Sequence, residues 1–136
     1  MKPIEEFKDK EELMECVRWW QHRLFLDGWI ITANLVEPQD FINEDVCGEC
    51  SFDMTNHCAV IRILEKRYYG EDRIMKYCAE RILVHELLHC KYNWLTNANS
   101  YEGKYVDATE HGLLEEMAKS FIMAKYGLTF DYFKNI

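Results

Sequence analysis

The segment ILVHELLHCKY near the middle of the chain restricts the fold more than any other. It places two histidines four residues apart inside an apolar run. At 100° per residue, six positions fall within a sector about 80° wide, as on one face of a helix: Ile74, Cys78, Ile82, His85, His89 and Tyr92. The pattern predicts a helix over residues 72–94, capped by Asp72, whose two histidines point toward the core.

The motif HELLH at residues 85–89 has the residue types and spacing of a catalytic zinc site. His85 and His89 are one helical turn apart, so both imidazoles can reach one tetrahedral zinc ion, with Glu86 beside the remaining coordination position. Zinc lowers the pKa of a bound water toward about 7, and a neighbouring carboxylate can take the proton and pass it to a leaving amine. We therefore expect one Zn²⁺ per chain and Glu86 as the catalytic base of peptide-bond hydrolysis.

Two histidines are too few protein ligands for a stable catalytic zinc, so a third is expected from the last predicted helix, residues 108–126. Glu110, His111 and Glu115 lie on or beside the apolar face of its helical wheel. Glu110 has a structural explanation, because Asp107 and Glu110 form a capping box. His111 and Glu115 are one turn apart, so one can ligate zinc while the other orients a ligand or contacts the reacting carbonyl. Glu115 is the favoured third ligand.

The rest of the chain predicts a small α+β domain. Apolar residues at three to four residue steps predict an N-terminal helix over residues 4–26. Residues 29–36 form a β-branched, aromatic strand, and residues 49–54 and 58–64 form a hairpin. The predicted fold is therefore a minimal zincin-like domain with an N-terminal helix, a small, mainly antiparallel three-stranded sheet, the HExxH helix and a C-terminal helix.

Length, composition and charge indicate how many domains the chain forms and which classes of partner it can bind. The chain has 136 residues, 49% of them apolar, and contains no linker-like stretch, so we expect a single domain over residues 1–136. A net charge of −8 argues against nucleic acid or an anionic membrane as the main partner, and a basic or neutral partner fits it better. From the HExxH motif we expect a peptide or protein substrate. The N-terminus lacks the pattern of a secretory signal, which favours a cytoplasmic protein. The sequence carries no signal for the oligomeric state.

The cysteines and two tyrosines offer further candidate sites. Six cysteines in a chain without a secretory signal are expected to be reduced thiols, with no structural disulfide. Cys47 and Cys50 form a CxxC, but no second pair follows at zinc-ribbon spacing, so we interpret both as packing thiols. Tyr101 and Tyr105, in a predicted loop over residues 96–107, can offer a phenol to an oxyanion, although loop tyrosines more often pack or hydrogen-bond.

The chain resembles the minigluzincins, very small single-domain HExxH peptidase-like proteins often found in phages and mobile elements. The resemblance spans most of the chain and rests on WWQHRLFLDGWII, ILVHELLHCKY and EHGLLEEMA. It implies His85 and His89 as ligands, Glu86 as base and Glu115 as third ligand. By analogy with larger gluzincins, it also implies a substrate strand pairing with a sheet edge, for which residues 58–64 are the candidate.

Three other interpretations stay open at this stage. The first is an SprT-like peptidase with His111, which Gly112 follows, as third ligand; the acidic charge argues against it, because such proteins act on DNA-linked substrates. The second is a non-catalytic, zinc-stabilised interaction or regulatory module, which a Glu86→Gln variant distinguishes from an enzyme. The third is a metal-free α+β domain, which metal content distinguishes.

Overall fold

The chain folds into the α+β architecture that its sequence predicts. The structure, a computed structural model, describes residues 1–93 and 103–135. The described residues form three α-helices and one three-stranded sheet: α1 (Lys10–Arg23), β1 (Ile30–Val36), β2 (Gly48–Asp53), β3 (Cys58–Leu64), α2 (Ala79–Lys91) and α3 (Gly103–Tyr126). Short 3₁₀ turns lie at Pro38–Asp40, Lys66–Tyr68 and Phe130–Phe133. No helix in this part of the chain is both long and apolar enough to cross a membrane.

The sheet is mixed and has the strand order β1-β3-β2. β2 and β3 form the predicted antiparallel hairpin, with Gly48 opposite Ile63, whereas β1 runs parallel to β3, with Ile30 opposite Cys58. Because β3 is paired on both sides, it has no free backbone edge for a substrate strand. The expectation that residues 58–64 provide that edge is therefore wrong. In the described sheet the edges belong to β1 and β2.

The first helix is shorter than the predicted 4–26. The Asp9 side chain accepts the backbone N–H of Glu12, so it caps a helix that begins at Lys10. The apolar stripe of α1 faces the core, which confirms the helical pattern: Leu13, Cys16, Val17 and Trp20 are buried.

The helix that carries HELLH begins six residues later than predicted. Cys78, rather than Asp72, occupies the N-cap position of α2. Ile74, which the wheel placed on the inward face, lies outside the helix and is 73% exposed. The helix itself is buried on most sides, because it packs against the sheet and α3. The helix ends at Lys91, with Tyr92 as its C-cap, so the predicted end at residue 94 is three residues too late.

The last helix begins earlier than predicted, at Gly103. Asp107 is therefore inside α3, and the predicted capping box of Asp107 and Glu110 is wrong. Part of the predicted loop over residues 96–107 lies outside the described residues, and the remainder is helical. Leu114 and Ala118 form the buried face of α3, which packs on α2.

A buried carboxylate fixes α2 relative to its neighbours. Glu80 accepts hydrogen bonds from the Ile4 backbone N–H, Trp20 Nε1, Lys125 Nζ and the Tyr126 hydroxyl at 2.6 to 2.9 Å. Burial by itself raises the pKa of Glu80, but these donors outweigh it and hold the pKa below the ordinary 4.5. One ionised side chain thus connects the N-terminal segment, α1 and the end of α3 to the first turn of α2.

Candidate metal centre

The packing of α3 on α2 brings three imidazoles together. His85 and His89 come from α2 and His111 comes from α3, and one ring nitrogen of each lies within 4.8 Å of the others. His85 Nε2 and His111 Nδ1 are 3.4 Å apart. Two nitrogens bound tetrahedrally at zinc–nitrogen distances of 2.0–2.1 Å would lie about 3.3 Å apart. The three histidines are therefore close enough to bind one metal ion.

Two carboxylates on α3 contact the far side of the α2 histidines. Glu115 Oε2 lies 2.7 Å from His85 Nδ1, and Glu110 Oε1 lies 3.2 Å from His89 Nδ1. A carboxylate at Nδ1 favours the tautomer with the proton on that nitrogen, which leaves the Nε2 lone pair for a metal. Glu110 and Glu115 thus orient the two rings in the form that binds a metal.

The third nitrogen of the cluster belongs to His111, although the sequence favoured Glu115 as third ligand. Later residues of α3 contact earlier residues of α2, so the two helices run antiparallel. In this register Glu115 reaches past the cluster, where its Oε1 accepts a 2.5 Å hydrogen bond from Arg81 Nη1, and Glu110 meets His89. The wheel identified all three residues that meet the α2 histidines, but it did not assign their roles.

Burial and neighbouring charges fix the protonation states around the cluster. Burial, with His85 and His111 close by, lowers the pKa of His89 to about 3, so its ring is neutral at physiological pH. Burial opposes ionisation of Glu115, but the hydrogen bond to His85 and the charge of Arg81 lower its pKa to about 2. Burial disfavours a cationic His85, whereas its bond to Glu115 raises the pKa above the ordinary 6.5. His85 thus has the ionised carboxylate of Glu115 at its Nδ1, and the neutral ring of His89 lies 5.1 Å from its own ring, centre to centre.

Glu86 lies beside the cluster with its side chain largely buried. It is 5% exposed, and burial raises the pKa of its carboxyl to about 7. It shares a cavity of about 220 Å³ with His85 and His111. A carboxyl with this pKa can both take and release a proton near neutral pH.

Gly48, the first residue of β2, allows the strand to approach Glu86. A Cβ at this position would lie 2.7 Å from Glu86 Oε2 and from Ile82 Cγ2, closer than side chains pack. Sequence reasoning did not find Gly48, because no local pattern marks a close approach between a strand and a helix that are distant in sequence.

Sequence reasoning also missed Arg81, which lies four residues before His85 and lines the same cavity. Here a signal was present, because residues four apart share a helix face. The cavity has nine lining residues: Val46, Cys47, Gly48, Arg81, Ile82, His85, Glu86, His111 and Glu115.

The other candidate residues do not join the cluster in the described structure. Cys50 Sγ lies 3.6 Å from Cys90 Sγ, both as free thiols. Cys47 lines the cavity, where burial raises the pKa of its thiol. Tyr101 and the side chain of Tyr105 lie outside the described part of the chain.

No protein-family model, curated protein or solved structure matches the chain. The resemblance to the minigluzincins therefore remains a hypothesis that rests on the motifs of this chain.

Proposed function

We propose that the chain is a zinc-dependent metallopeptidase in which His85, His89 and His111 hold the metal and Glu86 is the general base. The observation that carries the proposal is the convergence of three imidazoles beside a buried carboxyl whose pKa is about 7. Three protein ligands and one open position are the usual arrangement of a catalytic zinc, whereas structural zinc sites have four protein ligands.

The donor set supports zinc as the metal. All three donors are imidazole nitrogens, which suit zinc better than the hard cations Mg²⁺ and Ca²⁺. Glu110 and Glu115 behind the α2 rings are partners of the kind usual around zinc histidines. When bound, zinc would supply Lewis acidity, which lowers the pKa of a coordinated water toward about 7.

The side chains around the cluster have separate tasks in this proposal. Glu86 takes a proton from the attacking water and delivers it to the leaving amine, for which a pKa near the working pH is best. Glu115, ionised, holds His85 by Nδ1, and Arg81 holds Glu115 in turn. Glu110 holds His89 by its Nδ1.

The proposed ligand set is the one expected for the SprT-like alternative and not the glutamate-containing set of the minigluzincins. His111 replaces Glu115 as third ligand, and Glu115 becomes an orienting residue. The net charge of −8 nevertheless argues against substrates that are bound to DNA, so we propose a peptide or protein substrate.

Metal content tests the ligand set. Zinc is measured by elemental analysis on protein purified without chelator or an affinity-tag metal. We expect one zinc per chain in the wild type, loss of stoichiometric zinc in His85→Ala and His111→Ala, and retention in Glu115→Ala with affinity weakened about 10- to 100-fold. Zinc that survives His111→Ala but not Glu115→Ala would restore the glutamate as ligand. A wild type that takes up no zinc would refute the metallopeptidase proposal.

Glu86→Gln separates an enzyme from a zinc-stabilised interaction module. The variant should keep its zinc and cleave an unstructured protein such as casein about 10²- to 10⁴-fold more slowly than the wild type, the usual contribution of a general base. Equal rates in the zinc-loaded wild type and variant would favour the non-catalytic module.

A further inference from the structure

Arg81 is the one permanently charged cation among the described residues that line the cavity. It precedes His85 by one turn of α2, and its side chain is only 8% exposed. Charged side chains are rarely buried to this degree unless their hydrogen bonds are made. The partners of its guanidinium nitrogens therefore bear on its role.

The guanidinium is paired on one side only. Nη1 donates to Glu115 Oε1 at 2.5 Å. Arg81 Nε is buried without a partner, and it is the one buried side-chain nitrogen or oxygen of the described residues in this state. No described residue accepts a hydrogen bond from Nη2 either. The edge formed by Nε and Nη2, here called the free edge of Arg81, therefore lacks an acceptor among the described residues, which is unfavourable for the buried Nε.

The geometry of the free edge and the size of the cavity indicate what would fill it. Two parallel N–H groups of a guanidinium match the two oxygens of a carboxylate. The cavity, at about 220 Å³, is smaller than the 300–1,000 Å³ typical of pockets for drug-sized ligands. It suits a single residue-sized group rather than a long segment of chain.

We propose that the free edge of Arg81 binds a carboxylate of the substrate, so that the site prefers peptides with a carboxylate next to the scissile bond. The carboxylate is either the C-terminus of the peptide or an acidic side chain. The inference rests on the proposed peptidase function, and it makes Arg81 a specificity-determining residue in addition to a partner of Glu115.

Ligand binding tests the proposal without requiring turnover. The zinc-loaded Glu86→Gln protein, in which Arg81 is intact, is titrated calorimetrically with three probes: N-acetyl-Ala-Ala with a free carboxylate, its C-terminal amide, and N-acetyl-Ala-Asp amide. We expect one of the two acids to bind at least about tenfold more tightly than the neutral amide, as for a charge-assisted hydrogen-bond pair. The acid that is preferred identifies the source of the carboxylate. Equal affinity for all three probes overturns the proposal.

Variants of Arg81 separate its effect from that of the metal, which also attracts carboxylates. In the Glu86→Gln background, Arg81→Gln should bring the ratio of acid to amide affinity close to one. Arg81→Lys should retain only part of the preference for the acid, because lysine keeps the charge but lacks the two parallel N–H groups of a guanidinium. Lys119→Met is the matched control, since Lys119 Nζ lies 3.9 Å from the same Glu115 oxygen but does not line the cavity. It should leave the ratio unchanged. A ratio that persists in a folded Arg81→Gln variant assigns the preference to zinc and overturns the proposal.

Failure of this inference is distinguishable from failure of the proposed function. Missing zinc appears in elemental analysis, and the three-probe comparison can then be repeated on the metal-free protein, where Arg81 alone should give the preference. If Arg81→Gln does not fold, which its melting curve by circular dichroism shows, the comparison of acid and amide on the metal-free protein with intact Arg81 decides: a preference for the acid supports the proposal, and equal affinities overturn it.

Discussion

Glu86→Gln is expected to stabilise the metal-free protein at pH 8 and to change its stability much less at pH 5. The side chain is 5% exposed, and burial raises the pKa of its carboxyl from 4.5 to about 7. The opposing effect of His85 and Arg81 is smaller than that of burial. An ionised Glu86 is therefore unfavourable in the folded state, and glutamine removes that charge while keeping the shape.

The sign and size of the effect follow from proton linkage. Because the folded pKa is raised, the folded state binds the proton more tightly than the unfolded chain, and stability is lost as the pH rises from 4.5 through about 7. At about 1.4 kcal/mol per pKa unit, the raised pKa lowers the free energy of unfolding by about 3 kcal/mol at pH 8 and by less than about 1 kcal/mol at pH 5. For a chain of this length, 3 kcal/mol corresponds to a melting temperature higher by roughly 10 °C.

Urea denaturation followed by circular dichroism measures the difference. Wild type and Glu86→Gln are compared at pH 5 and pH 8 with a chelator present, because a bound cation would favour the ionised carboxylate. Glu116→Gln, which changes an exposed glutamate of α3, is the control for loss of one negative charge. Equal effects of Glu86→Gln at the two pH values, or no gain at pH 8, would refute the argument that burial of Glu86 costs stability.

Two further substitutions test the packing that positions the site. Glu80→Gln should lower the free energy of unfolding by about 3 kcal/mol, since an amide cannot accept from all four donors. Because folding lowers the pKa of Glu80 below 4.5, the stabilisation from its ionised carboxylate is complete above about pH 4.5 and is lost as the pH falls through the folded pKa. A Glu80→Gln protein that is as stable in urea as Glu116→Gln would contradict the prediction. Gly48→Ala should cost about 1–3 kcal/mol through overpacking and slow substrate cleavage by displacing Glu86, while zinc content stays at one per chain. Gly28→Ala is its control, because a Cβ there meets nothing within 4 Å, and equal cleavage by both variants would count against the proposed contact.

The sequence predicted the helix around HELLH correctly but not where it begins. The apolar spacing continues back to Ile74, yet residues 74–78 are not helical because their backbone has partners elsewhere. Lys76 donates its N–H to the Phe133 carbonyl, and Met75 pairs with Lys134 in an isolated bridge. These partners come from the end of the chain, about 60 residues away, so helical periodicity gives no sign of them.

The set of site residues on α3 was predictable, whereas their individual roles were not. The wheel placed Glu110, His111 and Glu115 on or beside one face, and all three contact histidines of α2. Which of them shares the cluster depends on how far α3 slides along α2. The buried face of α3 and the Glu80 contacts set that register, and both form only when the two helices pack.

Polar contacts stabilise the α2–α3 interface at two places. At one of them the chain supplies every hydrogen-bonding partner, whereas at the other a bound cation would supply one. At one end, Glu80 binds Lys125 and Tyr126 with donors and an acceptor that the chain itself supplies. At the other end, His85 Nε2 and His111 Nδ1 lie 3.4 Å apart, close enough for one cation to contact both. If the proposed zinc binds there, part of its binding free energy would stabilise the packing of the two helices. A small domain can in this way keep charged and polar groups at an interface where apolar side chains would otherwise pack more favourably.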